Sequence, residues 1–236
     1  MLTYVTFQKK PKELLALTGL ARGEFADLLP AFTQALQAAE AFAKPKAKKR
    51  QRAPGAGRQP GLRTVADQLL FALVYTKTYP LQGVQGQLFG MSQSSAHEWL
   101  HCLLPVLANA LDALGVMPER GETLVTPRPR RPANLIVDGV ERPRQRPKDR
   151  KLQAIHYSGK SRRHCDKNVV VVTMRTKQVN FLSATVPGGV HDKALADHAA
   201  ICFPANSTLR SDLGFQGYAP AVRVHWQPKK SRHTKH

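Results

Sequence analysis

Acidic residues are scarce in this sequence of 236 residues: 16 Asp and Glu stand against 36 Lys and Arg, for a formal charge of +20 with histidine neutral. A balance of this sign repels no polyanion and makes nucleic acid the default partner. Aromatic residues are also few, at 7%. Stacking rings are therefore not interleaved with the basic residues, which argues against a generic single-stranded RNA binder. The three cysteines, Cys102, Cys165 and Cys202, show no CxxC spacing. That excludes a disulfide framework and a structural zinc site, and the thiols read as reduced and structural. No apolar run approaches the roughly 20 residues of a membrane span, and no basic amphipathic segment carries an aromatic face. The opening Met1-Leu-Thr-Tyr-Val-Thr-Phe-Gln-Lys-Lys10 lacks the charged start and apolar stretch of a secretory signal, so a cytoplasmic protein is expected.

The length allows one sizeable domain or two smaller ones. From Lys12 to Phe42 the apolar residues Leu14, Leu15, Leu17, Leu20, Phe25, Leu28, Leu29, Phe32 and Leu36 recur at helical spacing, with Gly19 and Gly23 as breaks, which predicts two short helices within an N-terminal region 1–43. Residues 44–61 hold a one-signed, Pro- and Gly-rich run that reads as a basic linker, or as an arm lying along phosphates. Helical periodicity resumes at Thr64 and stops at Tyr79-Pro80. A short segment, Leu81 to Phe89, ends at Gly90, and Ser92 offers an N-cap for a helix reaching Leu114.

Short helix, glycine turn and polar-fronted helix make residues 62–117 a helix-turn-helix candidate. In that reading Gln93, Ser94, Ser95 and His97 face the DNA groove, while Trp99, Leu100 and Leu103 pack inward. A plain three-helix bundle would use the same pattern. Residues 118–133 form a second linker rich in Pro and Arg. Beyond it the period changes: strands are expected at Leu135–Val137, Asn168–Thr173, Val179–Ser183 and Val222–Trp226, with a helix at Lys193–Ile201. The fold class expected is therefore multidomain α+β, an all-α region followed by a mixed α/β sheet.

Two acids stand out, each placed where a strand should run into a loop: Asp138 in Asn134-Leu-Ile-Val-Asp-Gly-Val-Glu141, and Asp212 in Ser207-Thr-Leu-Arg-Ser-Asp-Leu-Gly214. Hard divalent cations take carboxylate oxygens, and surrounding Lys and Arg hold a polyanion, so this pairing points to metal-assisted work on a phosphate backbone. The alternative for each Asp is turn formation or helix capping. Arg142, Arg144, Arg146, Lys148, Lys160, Arg162, Arg163 and Lys167 are candidates for gripping phosphates, because so many like charges beside two acids exceed what a solvated face needs. Asp192 is expected to cap the helix after it, with a catalytic auxiliary as the sharper possibility. His225, His233 and His236 are too irregularly spaced for a metal site.

Four stretches, Asp138-Gly-Val-Glu-Arg-Pro-Arg-Gln-Arg-Pro-Lys-Asp149, Tyr157-Ser-Gly-Lys-Ser-Arg-Arg-His-Cys-Asp-Lys-Asn168, Gly189-Val-His-Asp-Lys193 and Asp212-Leu-Gly-Phe-Gln-Gly-Tyr218, succeed one another in an order that resembles the catalytic domain of insertion-sequence transposases of the DDE superfamily. Residues 64–111 similarly resemble the helix-turn-helix preceding that domain. The resemblance implies a ribonuclease-H-like fold over 134–236, Mg²⁺ or Mn²⁺ as cofactor, and transposon terminal inverted repeats as the DNA bound by a homo-oligomer. It also implies a cut at transposon ends followed by strand transfer, with Asp138 as the first catalytic acid and metal ligand and Asp212 as the second. The family's third acid, a downstream Glu on a helix, has no counterpart, and Glu141 and Asp192 do not lie at its position. A C-terminally truncated catalytic domain is therefore expected. The alternatives are a non-catalytic DNA-binding regulator, or a frameshift product with Pro228-Lys-Lys-Ser231 as the slip point.

Overall fold

The computed structural model describes residues 1–42, 61–120, 134–204 and 206–229. The linker 44–61 lies outside these residues apart from Gly61, as do 121–133 of the second linker, His233 and His236. The chain divides into two compact units, Met1–Met117 and Pro118–His236.

The first unit is helical among its described residues. Three helices come first: α1 (Tyr4–Phe7), α2 (Pro11–Thr18) and α3 (Arg22–Phe42). Gly19 ends α2 in the left-handed conformation at φ 76°, which only glycine adopts without cost. Gly23, expected as a break, instead sits in the first turn of α3, where backbone N–H groups have no partner within the helix and the break has nothing to interrupt. Three more follow: α4 (Val65–Thr78), α5 (Gln82–Leu88) and α6 (Gln93–Ala113). Thr64 caps α4 by accepting from the Asp67 N–H at 3.1 Å, and its hydroxyl donates to Asp67 Oδ2 at 2.8 Å. Asp67 Oδ1 in turn accepts the Tyr4 N–H at 2.7 Å, so one buried carboxylate ties the N-terminal helix to the start of α4. Phe25, Phe32, Leu69, Leu70, Phe71, Phe89 and Leu103 close a single apolar core. Each such burial contributes roughly 1.5–3 kcal/mol.

The second unit is a mixed sheet with one well-buried helix. Its strands are β1 (Asn134–Pro143), β2 (Tyr157–Ser158), β3 (Arg163–Thr173), β4 (Val179–Leu182), β5 (Val186–Pro187), β6 (Thr208–Arg210) and β7 (Val224–Trp226). Its helices are α7 (Arg150–His156) and α8 (Asp192–His198). The sheet runs β2-β3-β1-β6-β7, with β4 and β5 also pairing with β3. β1, β3 and β4 are antiparallel neighbours, whereas β6 joins β1 in parallel and β7 joins β6 in parallel. The parallel pair follows α8, which supplies the crossover such a connection needs. Leu135, Val137, Val169, Val171, Phe181, Leu195, Ala196, Leu209 and Phe215 make the core, with α8 against the sheet.

Two expectations change here. β1 does not run out at Asp138 but continues to Pro143, because β3 pairs with it in unbroken antiparallel register from Leu135↔Thr173 to Pro143↔Cys165. The strands β2 and β5 and the helix α7 were not anticipated, whereas β6 is the strand expected before Asp212. The unanticipated elements are too short, or too polar, to show a period.

Candidate active site

The two aspartates become neighbours through strand register. β1 pairs with β6 up to Ile136↔Arg210. Asp138 and Asp212 each lie two residues beyond the last parallel partners, at equivalent distances along the two chains from that pairing. Alternation places both in the phase opposite to buried Leu135, Val137 and Leu209. Asp138 Oδ1 accepts its neighbour's Gly139 N–H at 2.8 Å. Asp212 caps a 3₁₀ turn, Leu213–Phe215, by accepting the Gly214 N–H at 2.9 Å.

The electrostatics of the pair are unbalanced toward repulsion. The Asp138 carboxyl is raised above its ordinary value by burial first, and then by the nearby Asp212 and Asp192 charges, while the Gly139 N–H and Lys160 pull it back. Asp138 keeps solvent access, so the push is modest. Lys160 Nζ lies 3.7 Å from Asp212 Oδ2 across an exposed gap, which water screens strongly. A cavity of about 520 Å³ opens here, lined among others by Ser158, Lys160, Lys167, His191, Asp192 and Asp212.

Behind the pair lies a buried ionic group that the sequence reading missed. Lys167 and Glu141 stand opposite each other on β3 and β1, with Nζ 3.4 Å from Glu141 Oε1. The same ammonium is 3.0 Å from Asp192 Oδ1, an ion pair without hydrogen-bond geometry at that oxygen, and donates to the Val190 carbonyl at 2.9 Å. Ser158 Oγ donates to Glu141 Oε1 at 2.8 Å. Burial pushes Glu141 up, but the Ser161 and Ser158 hydroxyls and Lys167 outweigh it and hold its carboxyl below the ordinary value. Burial likewise pulls Lys167 down, and Asp192 and Glu141 outweigh it, so its ammonium titrates higher than usual. Lys167, expected among the phosphate-gripping residues, is thus only 5% exposed and committed to two carboxylates. The signal was present in the alternation of Cys165, Lys167, Val169 and Val171, which share one face of β3. Asp192, expected as a cap, is the first residue of α8, and the cap is His191, whose Nδ1 accepts the Lys193 N–H at 3.4 Å.

The other basic candidates stay at the surface. Arg142 donates to Thr185 Oγ1 at 2.9 Å, Arg144 pairs with Asp166 at 2.9 Å, and Arg146 donates to Gln153 Oε1 at 2.9 Å. Lys148, Arg162 and Arg163 are exposed. Of these, the structure brings Lys160 alone into ion-pair range of the aspartate pair among the described residues.

In the helical unit, Ser92 caps α6 by accepting the Ser95 N–H at 3.1 Å. Gln93, Ser94 and His97 are exposed on the first turns and Ser95 is half-buried, while Ala96, Leu100 and Leu103 are buried and Trp99 is half-buried against the core. The turn between α5 and α6 is tight: a Cβ on Gly86 would meet the Met91 carbonyl oxygen at 2.7 Å and that of Ser92 at 3.1 Å. Gln93 Nε2 donates to Gln82 Oε1 at 3.0 Å, which joins the polar starts of the two helices.

A helical unit with an exposed polar helix start is followed by a mixed sheet that carries the two aspartates. Residues 60–113 match the model of the helix-turn-helix of DDE superfamily endonucleases, and residues 137–235 match that of the DDE superfamily endonuclease itself. The chain belongs to the insertion-sequence transposases of the DDE superfamily. It is 28% identical over 175 residues to the probable transposase for insertion sequence element IS702 of Microchaete diplosiphon, an alignment covering 74% of this chain and 60% of that one. The chain thus spans about three fifths of the length of that relative. No solved structure matches. Among the described residues no helix is long and apolar enough to cross a membrane.

Proposed function

We propose that this protein binds the terminal inverted repeats of a bacterial insertion sequence in the cytoplasm as a homo-oligomer and, given a full set of catalytic acids, cuts and joins phosphodiesters there. The observation that carries the reading is the equivalent placement of Asp138 and Asp212 beyond the parallel pairing of β1 and β6. Three antiparallel strands, a helix, and two strands parallel to the first support a ribonuclease-H-like sheet with both acids at its centre. The domain bounds that follow are N-terminal helices to residue 43, a helix-turn-helix from 62 to 117, and the catalytic sheet from 134.

A divalent cation fits the donors present. Among the described residues no cluster of three or more potential ligands occurs. Mg²⁺ commonly takes one or two carboxylates and completes its shell with water and substrate phosphate oxygens, and Asp138, raised by crowding and burial, is a carboxylate that gains from a cation. Asp138 and Asp212 would hold Mg²⁺ or Mn²⁺, which when bound activates the attacking oxygen and stabilises the leaving one. Lys160 neutralises charge beside Asp212, and Arg142, Arg144, Arg146, Lys148, Arg162 and Arg163 hold the flanking phosphates. Gln93, Ser94, Ser95 and His97 read base edges from the start of α6.

The test is cleavage of DNA carrying the element's own ends with Mg²⁺ or Mn²⁺. Salt-sensitive binding with little or no nicking is expected from two acids without a third, the behaviour of a DNA-holding regulator. Metal-dependent nicking that both Asp138→Ala and Asp212→Ala abolish would show that another residue supplies the third acid.

A further inference from the structure

We infer that Asp192 is a positioning residue for this site: a buried carboxylate that stands between the backbones carrying Asp138 and Asp212 and sets their spacing. The inference rests on the reading of those two acids as the metal-holding pair.

A Cβ built on Gly139, the residue after Asp138, would lie 2.6 Å from Asp192 Oδ1. A Cβ built on Gly214, two residues after Asp212, would lie 2.6 Å from Asp192 Oδ2. One carboxylate therefore touches both backbones, one oxygen to each, and both approaches depend on the missing side chain.

The carboxylate is itself held from two directions. From the sheet, Lys167 Nζ pairs with Oδ1 at 3.0 Å while Glu141 opposes the lysine across the strands. From the other side, the segment leading to Asp192 is pinned by hydrogen bonds of the Gly188 N–H to the Cys165 carbonyl at 2.9 Å and the Gly189 N–H to the Ile155 carbonyl at 3.0 Å. Leu195 and Ala196 then bury the helix that Asp192 starts. Asp192 is 7% exposed, so a polar group is kept in the interior where an apolar one would pack at lower desolvation cost. A buried ion pair is weak evidence for stability by itself. The contact to the two backbones that carry Asp138 and Asp212 is what a stabilising role leaves unexplained.

Two measurements on the whole chain decide it: Mn²⁺ affinity by electron paramagnetic resonance, and melting temperature. Asp192→Asn keeps the shape of the spacer and loses its charge, whereas Asp192→Ala removes both. Both variants are expected to melt lower. Mn²⁺ affinity should fall about 10- to 100-fold in Asp192→Ala, as outer-shell changes do, and less than about threefold in Asp192→Asn. Affinity that simply follows melting temperature in the two variants would overturn the role.

The glycines provide an independent cycle. Gly139→Ala and Gly214→Ala should each lower the melting temperature in the native background; in Asp192→Ala, Gly139→Ala should cost little further, whereas Gly214→Ala is relieved only in part, because its methyl group would still lie 3.0 Å from Asp212 Oδ1. Purely additive losses would show that the carboxylate is not the spacer. Wild-type protein that binds no Mn²⁺, or Asp138→Ala that binds it as well as wild type, overturns the reading of the acid pair and the role of Asp192 with it. Loss in Asp138→Ala combined with full affinity in Asp192→Ala overturns the role of Asp192 alone.

Discussion

Lys167 stands where charge, register and burial meet, and its chemistry sets a pH window. Glu141 titrates lower in the folded protein than its ordinary 4.5, so its contribution to stability is complete above that value and fades as pH falls through the lower folded one. Lys167 titrates higher than its ordinary 10.5, so its contribution is complete below that value and fades as pH rises through the higher folded one. Between these limits the pair contributes fully. Lys167→Met strands two carboxylates in the interior and is expected to cost the sheet unit about 3–5 kcal/mol at neutral pH, read by urea unfolding. Wild-type stability in the Met variant would show that the ion pair is not what occupies that interior. At this scale the sequence was legible in part. The phase of Lys167 with Val169 and Val171 marks it as inward, but its partner Asp192 is 25 residues away in sequence, and pairing across that distance is decided by the turn that β5 and Gly188 make.

At the scale of elements, helix starts are the most local features, and those of α4 and α6 were readable, whereas the cap of α8 is His191 in place of Asp192. Thr64 and Ser92 both accept the N–H three residues on. Thr64→Ala should cost about 1 kcal/mol in thermal unfolding of the helical unit, more if Asp67 loses its hold on Tyr4. A cost near zero would mean that packing alone sets that helix start. The first turns of α6 and the basic segment after β1 should differ in kind. Gln93→Ala or His97→Ala is expected to lose about 1–3 kcal/mol of discrimination between the element's ends and unrelated DNA, with the salt slope unchanged. Arg146→Ala should weaken binding to both sequences alike and reduce the salt slope by about one. Titration of both DNAs at several salt concentrations separates the two outcomes. The short strands β2 and β5 escaped the sequence reading because two residues carry no period, and their pairing comes from β3, which is long enough to template them.

For the molecule as a whole, the two apolar cores close separately, one within residues 1–117 and one within 118–236. A fragment of residues 1–117 is expected to fold alone with helical circular dichroism and a cooperative melt, and Phe71→Ala within it should cost about 3–5 kcal/mol. A fragment without a cooperative transition would show that its core needs the rest of the chain. The charge of +20 acts at this scale too, because it draws polyanions toward the protein as a whole.

Composition, helical period and cap chemistry follow from the sequence alone, because they depend on residues within a few positions of one another: the basic charge, the order of helices before strands, the starts of α4 and α6, and the two acids worth attention. Tertiary structure decided what those acids meet. Parallel pairing of β1 with β6 set Asp138 beside Asp212, antiparallel pairing with β3 carried β1 past Asp138 and drew Lys167 inward, and the fold of the segment before α8 brought Asp192 against Gly139 and Gly214. Strand partners are chosen by burial summed over a whole face, a quantity no local window of sequence contains.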